Sequence, residues 1–331
     1  MTLNFEIDFL TEEIKKRKPK KVLVQLPEGV KQNAFEIAEV LKKLGVEVVF
    51  SGETCWGGCA VAIDEAKIVG ADLIVHFGHA KFIDLSKNSP EVLYVEVKDE
   101  LDLIPLLKKS LKELKKFETI GLSYSIQHRH DVDKIINFYK TNGKKVFLSK
   151  KKGNVAYEGH IVGCQYSGLK EIENIVDVFV IIGNNFHSTG AVLSVEKPVV
   201  LIDVYNNEVR DMKNMREKIL RQRIISIEKL KKANNVGIIV ETKIGQRFGV
   251  PKLIEKKLKD AGKNVILITM NEVTPDKIMN FYYVDAFVEL ACPRIAIEDF
   301  AKYERPILTF KETLVALSEK SWNDFLKEGI V

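Results

Sequence analysis

Cysteine is scarce in this chain, with four residues in 331, far too few for a disulfide scaffold. No apolar run approaches the roughly 18 residues that span a bilayer, and Met1 to Lys21 lacks the apolar core of a secretory signal. A cytoplasmic protein with no membrane partner is therefore expected. Charge of one sign is also lacking: 51 Lys and Arg oppose 46 Asp and Glu, a net +5, so no direct nucleic-acid contact is expected. No GxGxxG follows the first apolar run and no GxxxxGK[ST] occurs, which leaves dinucleotide and nucleoside-triphosphate binding without support. What remains is ordinary globular usage, 46% hydrophobic and 29% charged, at a length that suggests two or three domains.

The apolar pattern falls into a βαβ rhythm that repeats. Lys21–Gln25 reads as a strand, Leu26–Val30 as a loop, Gln32–Leu44 as a helix ended by Gly45, and Glu47–Phe50 as a second strand. The same grammar returns at Thr119–Leu122, Val132–Thr141, Gly143 and Lys145–Leu148, and again at Val236–Val240, Pro251–Ala261, Gly262 and Asn264–Ile268. Downstream, Ala71–Val75, Val176–Val180 and Val284–Val288 read as one strand written three times, each with an aspartate in second place: Asp72, Asp177 and Asp285. A fourth apolar run follows each, at Val92–Val97, Pro198–Val204 and Arg305–Phe310.

The reading is three similar parallel α/β units around a pseudo-threefold axis, over residues 1–116, 117–233 and 234–331. Their third strands are apolar without alternation and should be buried at the sheet centres. The charged stretches Lys108–Phe117 and Asn206–Lys232 serve as connectors, the second of them helical. Leu103, Leu106 and Leu107 either seek a partner surface or pack on their own domain.

The repeat also orders the cysteines. Cys59 and Cys164 each lie thirteen residues before their unit's aspartate, whereas that position in the third unit is Glu272. The third unit instead carries Cys292, seven residues after Asp285, where the others have His79 and Asn184. Each unit thus offers one thiol near the carboxyl ends of its strands, where open α/β sheets build their sites. An isolated cysteine is usually a small buried hydrophobe. Here all three sit among small or turn-forming residues, and two share a repeat coordinate. Three thiolates converging from separate units suit an iron–sulfur cluster or zinc. Cys55 could close such a site as a fourth ligand, but on its loop packing is the favoured role.

Arg294, beside Cys292, could fork onto a substrate carboxylate or simply pair with Glu298. Loops after the first strands offer Pro27, Glu28 and Gly29 in one unit, Ser123–Ser125 with His128 in the next, and Lys243–Gln246 in the third. Ordinary loop chemistry would explain each. The basic run Lys15–Lys21 reads as a solvated helix end, and His76 as a core histidine.

Taken together, Gly52–Cys59 (GETCWGGC), His76–His79 (HFGH), Gly159–Cys164 (GHIVGC) and Ala291–Ile297 (ACPRIAI) resemble the archaeal diphthamide synthase family, 2-(3-amino-3-carboxypropyl)histidine synthase. The resemblance covers essentially the whole chain, departing at Gly58, where alanine is common in that family. It implies a homodimer with one [4Fe–4S] cluster on Cys59, Cys164 and Cys292, its open iron facing S-adenosylmethionine. No single CxxxCxxC loop of the usual radical enzymes is present. The implied reaction moves a 3-amino-3-carboxypropyl group as a radical onto imidazole C2 of a histidine on translation elongation factor 2 and leaves methylthioadenosine. No catalytic side chain beyond the cluster is implied. An unidentified electron donor would be needed. Pro27, Glu28, Gly29, His79, Gly245, Gln246 and Arg294 are the candidates for S-adenosylmethionine, with Arg294 on its carboxylate.

Two other readings stay open from the residues. Quinolinate synthase is also built as three α/β units around a cluster with one cysteine per unit. A metal-stabilised interaction subunit without activity of its own is the other.

Overall fold

The computed structural model describes residues 3–86 and 88–331. Three separate parallel sheets carry the chain. The first holds β1 (Lys21–Gln25), β2 (Glu47–Phe50), β3 (Leu73–Phe77) and β4 (Glu91–Val95) in the order β2-β1-β3-β4. The second repeats that order as β6-β5-β7-β8, from β5 (Thr119–Tyr124), β6 (Lys145–Leu148), β7 (Val178–Gly183) and β8 (Val199–Asp203). A fifth strand, β9 (Glu208–Asp211), pairs antiparallel with β8. The third is β11-β10-β12-β13, from β10 (Asn235–Glu241), β11 (Asn264–Met270), β12 (Ala286–Glu289) and β13 (Ile307–Thr309).

The third strand of each unit lies inside its sheet and is buried throughout: Leu73–Val75, Val178–Val180 and Ala286–Val288. Apolar residues on both faces are what a strand covered from both sides requires. Glycines follow the helix between the first two strands of each sheet: Gly45, Gly143 and Gly262 stand at φ 77°, 76° and 78°, a left-handed turn that any β-carbon would strain.

The repeated aspartates have a shared structural role. Asp72 accepts the backbone N–H groups of Lys20 and Lys21 at 2.9 and 3.2 Å. Asp177 accepts those of Glu118 and Thr119 at 2.9 and 2.8 Å. Asp285 accepts those of Asn234 and Asn235 at 3.0 and 2.8 Å. In every unit the third strand therefore clamps the start of the first. The backbone donors hold the carboxyls of Asp177 and Asp285 below the usual carboxylate range.

Two connectors differ from the sequence reading. Asn206–Lys232 is not helical from its start, because Glu208–Asp211 adds the antiparallel edge strand before the helix Lys213–Lys232. The stretch around Lys108 belongs to the helix Ile104–Glu113, and Leu103, Leu106 and Leu107 are buried in one cluster with Ile120, Val180 and Ile202 of the second sheet. Placed in the first unit by the sequence reading, these leucines pack on the second sheet instead. The helix Lys213–Lys232 joins the second and third sheets through one continuous core containing Ile219, Ile227 and Leu230. Its Arg223, fully buried, forks onto Glu312 at 2.6 and 2.8 Å and donates to the carbonyls of Ala296 and Ile307. Among the described residues, no helix is long and apolar enough to cross a membrane.

Candidate metal centre

At the carboxyl ends of the strands, the three sheets surround one cavity of about 240 Å³. Cys59 from the first unit, Cys164 from the second and Cys292 from the third all line it. Cys59 ends the Gly57–Gly58 turn, where a β-carbon on Gly58 would stand 2.7 Å from the Ala80 carbonyl oxygen. Cys164 follows Gly163, whose missing side chain leaves room for the ring of Phe186; a β-carbon there would lie 2.0 Å from it. Cys292 caps the short helix Pro293–Ile297 just past β12.

The units meet at the first thiol. Gly245, on the loop after β10, donates its N–H to the Cys59 carbonyl at 3.0 Å. A β-carbon on it would approach the Cys59 Cα and carbonyl oxygen to 2.6 Å, so only glycine allows this approach. Its neighbour Gln246 donates from Nε2 to Cys59 Sγ at 3.4 Å. Turned over, the same amide donates to Glu241 Oε1 at 3.1 Å.

Burial dominates the electrostatics. It pushes the Cys164 thiol up to about 12, with the Cys59 charge adding to it. Burial likewise raises Cys59, and raises Cys292 far more, with Cys164, Glu289 and Cys59 contributing to the latter. Three mutually repelling thiolates in a desolvated pocket are costly unless a cation takes their charge. The nearby Arg294 cannot fully serve, because its fork is engaged by Glu298 at 2.7 and 3.2 Å while its guanidinium stacks on Phe186. Soft donors from three sheets, beside cations already paired with Glu298 and Glu241, fit a thiophilic metal group. Cys55 lies off the cavity, buried with Sγ 4.0 Å from His76 Nε2.

Among the other candidates, His79, Gln246 and Arg294 line the cavity, and Pro27, Glu28, Gly29 and Gly245 do not. Pro27 instead packs under Gly78, and Glu28 accepts the Cys55 N–H at 3.2 Å and pairs with Lys31. His128 is fully buried away from the cavity, and His76 is a core histidine as expected. Trp56, His160, Phe186, His187 and Glu241 also line the cavity and were not singled out from the sequence. Burial first of all lowers His160 to about 4 and His187 to about 3, so both rings are neutral. His160 sits inside the GHIVGC motif; His187 has no repeat partner that would mark it.

Comparison with known proteins agrees with this geometry. The profile of the diphthamide synthesis protein family matches residues 26–326. A Pyrococcus horikoshii protein named 2-(3-amino-3-carboxypropyl)histidine synthase is 32% identical over 96% of this chain and 91% of its own. A Saccharomyces cerevisiae protein named subunit 1 of that synthase is 28% identical over 96% of this chain and 75% of its own. The crystal structure of Dph2 from Pyrococcus horikoshii with a 4Fe-4S cluster superimposes with a TM-score of 0.87 at 29% identity, covering 97% of this chain and 93% of that one. A second crystal structure of the same Dph2 gives 0.88 at 30% identity over the same shares. With most of its length matched by that profile, three sheets of the same strand order and one thiol from each at a shared cavity, the chain belongs to the diphthamide synthesis protein family.

Proposed function

We propose that this chain is a 2-(3-amino-3-carboxypropyl)histidine synthase, the enzyme of the first step of diphthamide biosynthesis. The observation that carries the reading is the meeting of Cys59, Cys164 and Cys292 in one cavity of a chain of this family. In this reading the three units, with the helix Ile104–Glu113 joining the second, stand around a pseudo-threefold axis. The three thiolates hold a [4Fe–4S] cluster with one iron free of protein, since Cys55 is turned onto His76. Bound there, the cluster would supply the electron that opens the sulfur–γ-carbon bond of S-adenosylmethionine.

The protein's own part is binding, orientation and exclusion of water. His79, Gln246 and Arg294 are the residues we assign to S-adenosylmethionine. Arg294 reaches the carboxylate only by giving up Glu298, whose own carboxyl is raised by burial and is the easier one to neutralise. Pro27, Glu28, Gly29 and Gly245 shape the loops behind the cavity wall. Gln246 turns its N–H toward the Cys59 sulfur once that sulfur is a thiolate. The half-exposed Trp56 on the cavity lining supports access from outside, as a histidine on elongation factor 2 would need. A homodimer and an external electron donor in the cytoplasm complete the proposal.

Anaerobic incubation with dithionite, S-adenosylmethionine and elongation factor 2 tests it. Mass spectrometry should find one 3-amino-3-carboxypropyl group on one histidine of the factor and an equal amount of methylthioadenosine. An unmodified factor beside fully loaded protein would favour the supporting-subunit reading, and condensation of small molecules without S-adenosylmethionine the quinolinate synthase one.

A further inference from the structure

A fixed chain of hydrogen bonds runs from the first sheet to the cavity. It begins at Gln25, the last residue of β1, which is 2% exposed. Its Nε2 donates to the Ala60 carbonyl at 2.7 Å, and its Oε1 accepts the Ala62 N–H at 3.1 Å. Backbone partners of opposite kind on the two ends leave this amide only one orientation. Oε1, an acceptor only, also lies 2.8 Å from His76 Nδ1, so that nitrogen carries a proton. His76 is fully buried, and burial holds it well below the usual histidine range, so the ring is neutral and its Nε2 is a lone pair. That lone pair lies 3.0 Å from His79 Nδ1, which must then be the N–H donor. Burial pushes His79 down to about 4, outweighing the Phe77 carbonyl and the Glu28 charge. A neutral His79 with its proton on Nδ1 has an unprotonated Nε2, and no hydrogen-bond partner for that atom occurs among the described residues. His79 lines the cavity with the three thiols.

The neighbouring histidines are not set this way. His160 accepts the Ala156 N–H on Nδ1 at 3.2 Å, so its neutral ring carries the proton on Nε2. His187 Nδ1 lies 3.1 Å from Asn184 Oδ1, an amide with no backbone partner to fix its orientation. Among the described histidines of the cavity, only His79 is held as a base by an unbroken chain of assigned donors and acceptors.

We propose that His79 Nε2 accepts the proton that leaves imidazole C2 of the target histidine, with Gln25 and His76 as positioning residues that fix its tautomer. The proposal rests on the functional reading above. In the net reaction, the sulfur–γ-carbon bond of the sulfonium breaks and leaves a neutral thioether. A bond forms between the γ-carbon and C2. The C2–H bond breaks, its electron pair restores the aromatic ring, and its proton passes to His79. The positive charge of the sulfonium departs as that proton, so no net oxidant or reductant is consumed. The one electron lent at the start returns to the iron–sulfur carrier that lent it.

Nitrogen-15 NMR of the metal-free protein, labelled at histidine, tests the relay without any activity. His79 should show a protonated Nδ1 and an unprotonated Nε2, and Gln25→Met should abolish this fixed pattern in both His76 and His79. His79→Asn keeps a side-chain N–H for His76 and removes the base. In the loaded enzyme the amount of factor modified per methylthioadenosine released should fall about 100-fold or more in that variant, the usual scale of a general base. Deuterium at C2 of the target should slow the residual transfer more than it slows the parent enzyme. A protonated Nε2 on His79 in the metal-free protein would overturn the proposal. So would a His79→Asn variant that modifies the factor at the parent rate. A parent enzyme that releases no methylthioadenosine and leaves the factor unchanged would instead overturn the functional reading, and the proton transfer with it.

Discussion

The amino ends of the strands and their carboxyl ends follow different rules. At the amino ends the three units are copies: Asp72, Asp177 and Asp285 each clamp two backbone N–H groups at the start of the neighbouring first strand. At the carboxyl ends the units diverge, the third most of all. Cys59 and Cys164 come from long loops after the second strands, whereas Cys292 caps a short helix after the third strand. Gly245 fits only against Cys59, and Arg294 stacks only on Phe186. A repeated clamp fixes strand register at one end of each sheet, so loops at the other end can diverge without moving the framework. One sheet can then deliver its thiol by a different route and still reach the common cavity.

The largest effect on stability should come from the carboxyl end of the third unit. Arg223 and Glu312 are both fully buried, and Arg223 also holds the carbonyls of Ala296 and Ile307 on either side of it. Arg223→Met takes the cation away from the fully buried Glu312, at a cost of about 3–5 kcal/mol in urea unfolding. Replacing both partners with apolar residues should recover much of that loss. If the single variant costs less than about 1 kcal/mol, the pair does not anchor this end.

Gly245→Ala probes the contact between units. Its β-carbon would meet the Cys59 backbone at 2.6 Å, and such overpacking costs about 1–3 kcal/mol. Cluster content after anaerobic reconstitution should fall along with stability, because the backbone that must shift carries the Cys59 thiol, a proposed ligand. Gly70→Ala, open on its β-carbon side but at φ 68°, is the control: strain without displacement of Cys59, and unchanged iron content.

The amino ends should give the smallest effects. Asp177→Ala and Asp285→Ala remove exposed clamps, and with solvent screening discounted each should cost no more than about 1 kcal/mol. Both carboxyls are held below their ordinary 3.8 by the backbone donors. The fold therefore favours the charged form: the contribution is present at neutral pH and disappears as pH falls below that value. The difference between parent and variant should shrink in step. A difference that persists at low pH would assign the effect to packing.

Much of this comparison was legible in the residues. Sheet centres stood out because apolar runs without alternation read as buried strands, and the shared aspartate set the register of the three copies. It also blurred one boundary: Ala71 and Asp72 read as strand, yet the ladder begins at Leu73, because Asp72 is turned to the clamp. Strand β9 was hidden because an exposed edge of sequence Glu-Val-Arg-Asp carries no hydrophobic signal. The apolar period between the first two strands of the first unit starts at Gln32, but Glu28–Asn33 forms a 3-10 turn and the α-helix starts at Ala34. At the site, the cysteines were visible through the repeat. His160 and His187 were not, since their place depends on how separate units meet. For the same reason the close contact of Gly245 with Cys59 across two sheets has no signal in the sequence.

Iron and acid-labile sulfide, counted after anaerobic reconstitution of the parent and of the four cysteine variants, test the three-thiol centre most directly. About four of each per chain, the content of one proposed [4Fe–4S] cluster, are expected in the parent and in Cys55→Ala. Cys59→Ala, Cys164→Ala and Cys292→Ala should each fall to background, although their thiols come from three different sheets. A full cluster in Cys164→Ala, or its loss in Cys55→Ala, would contradict the assignment.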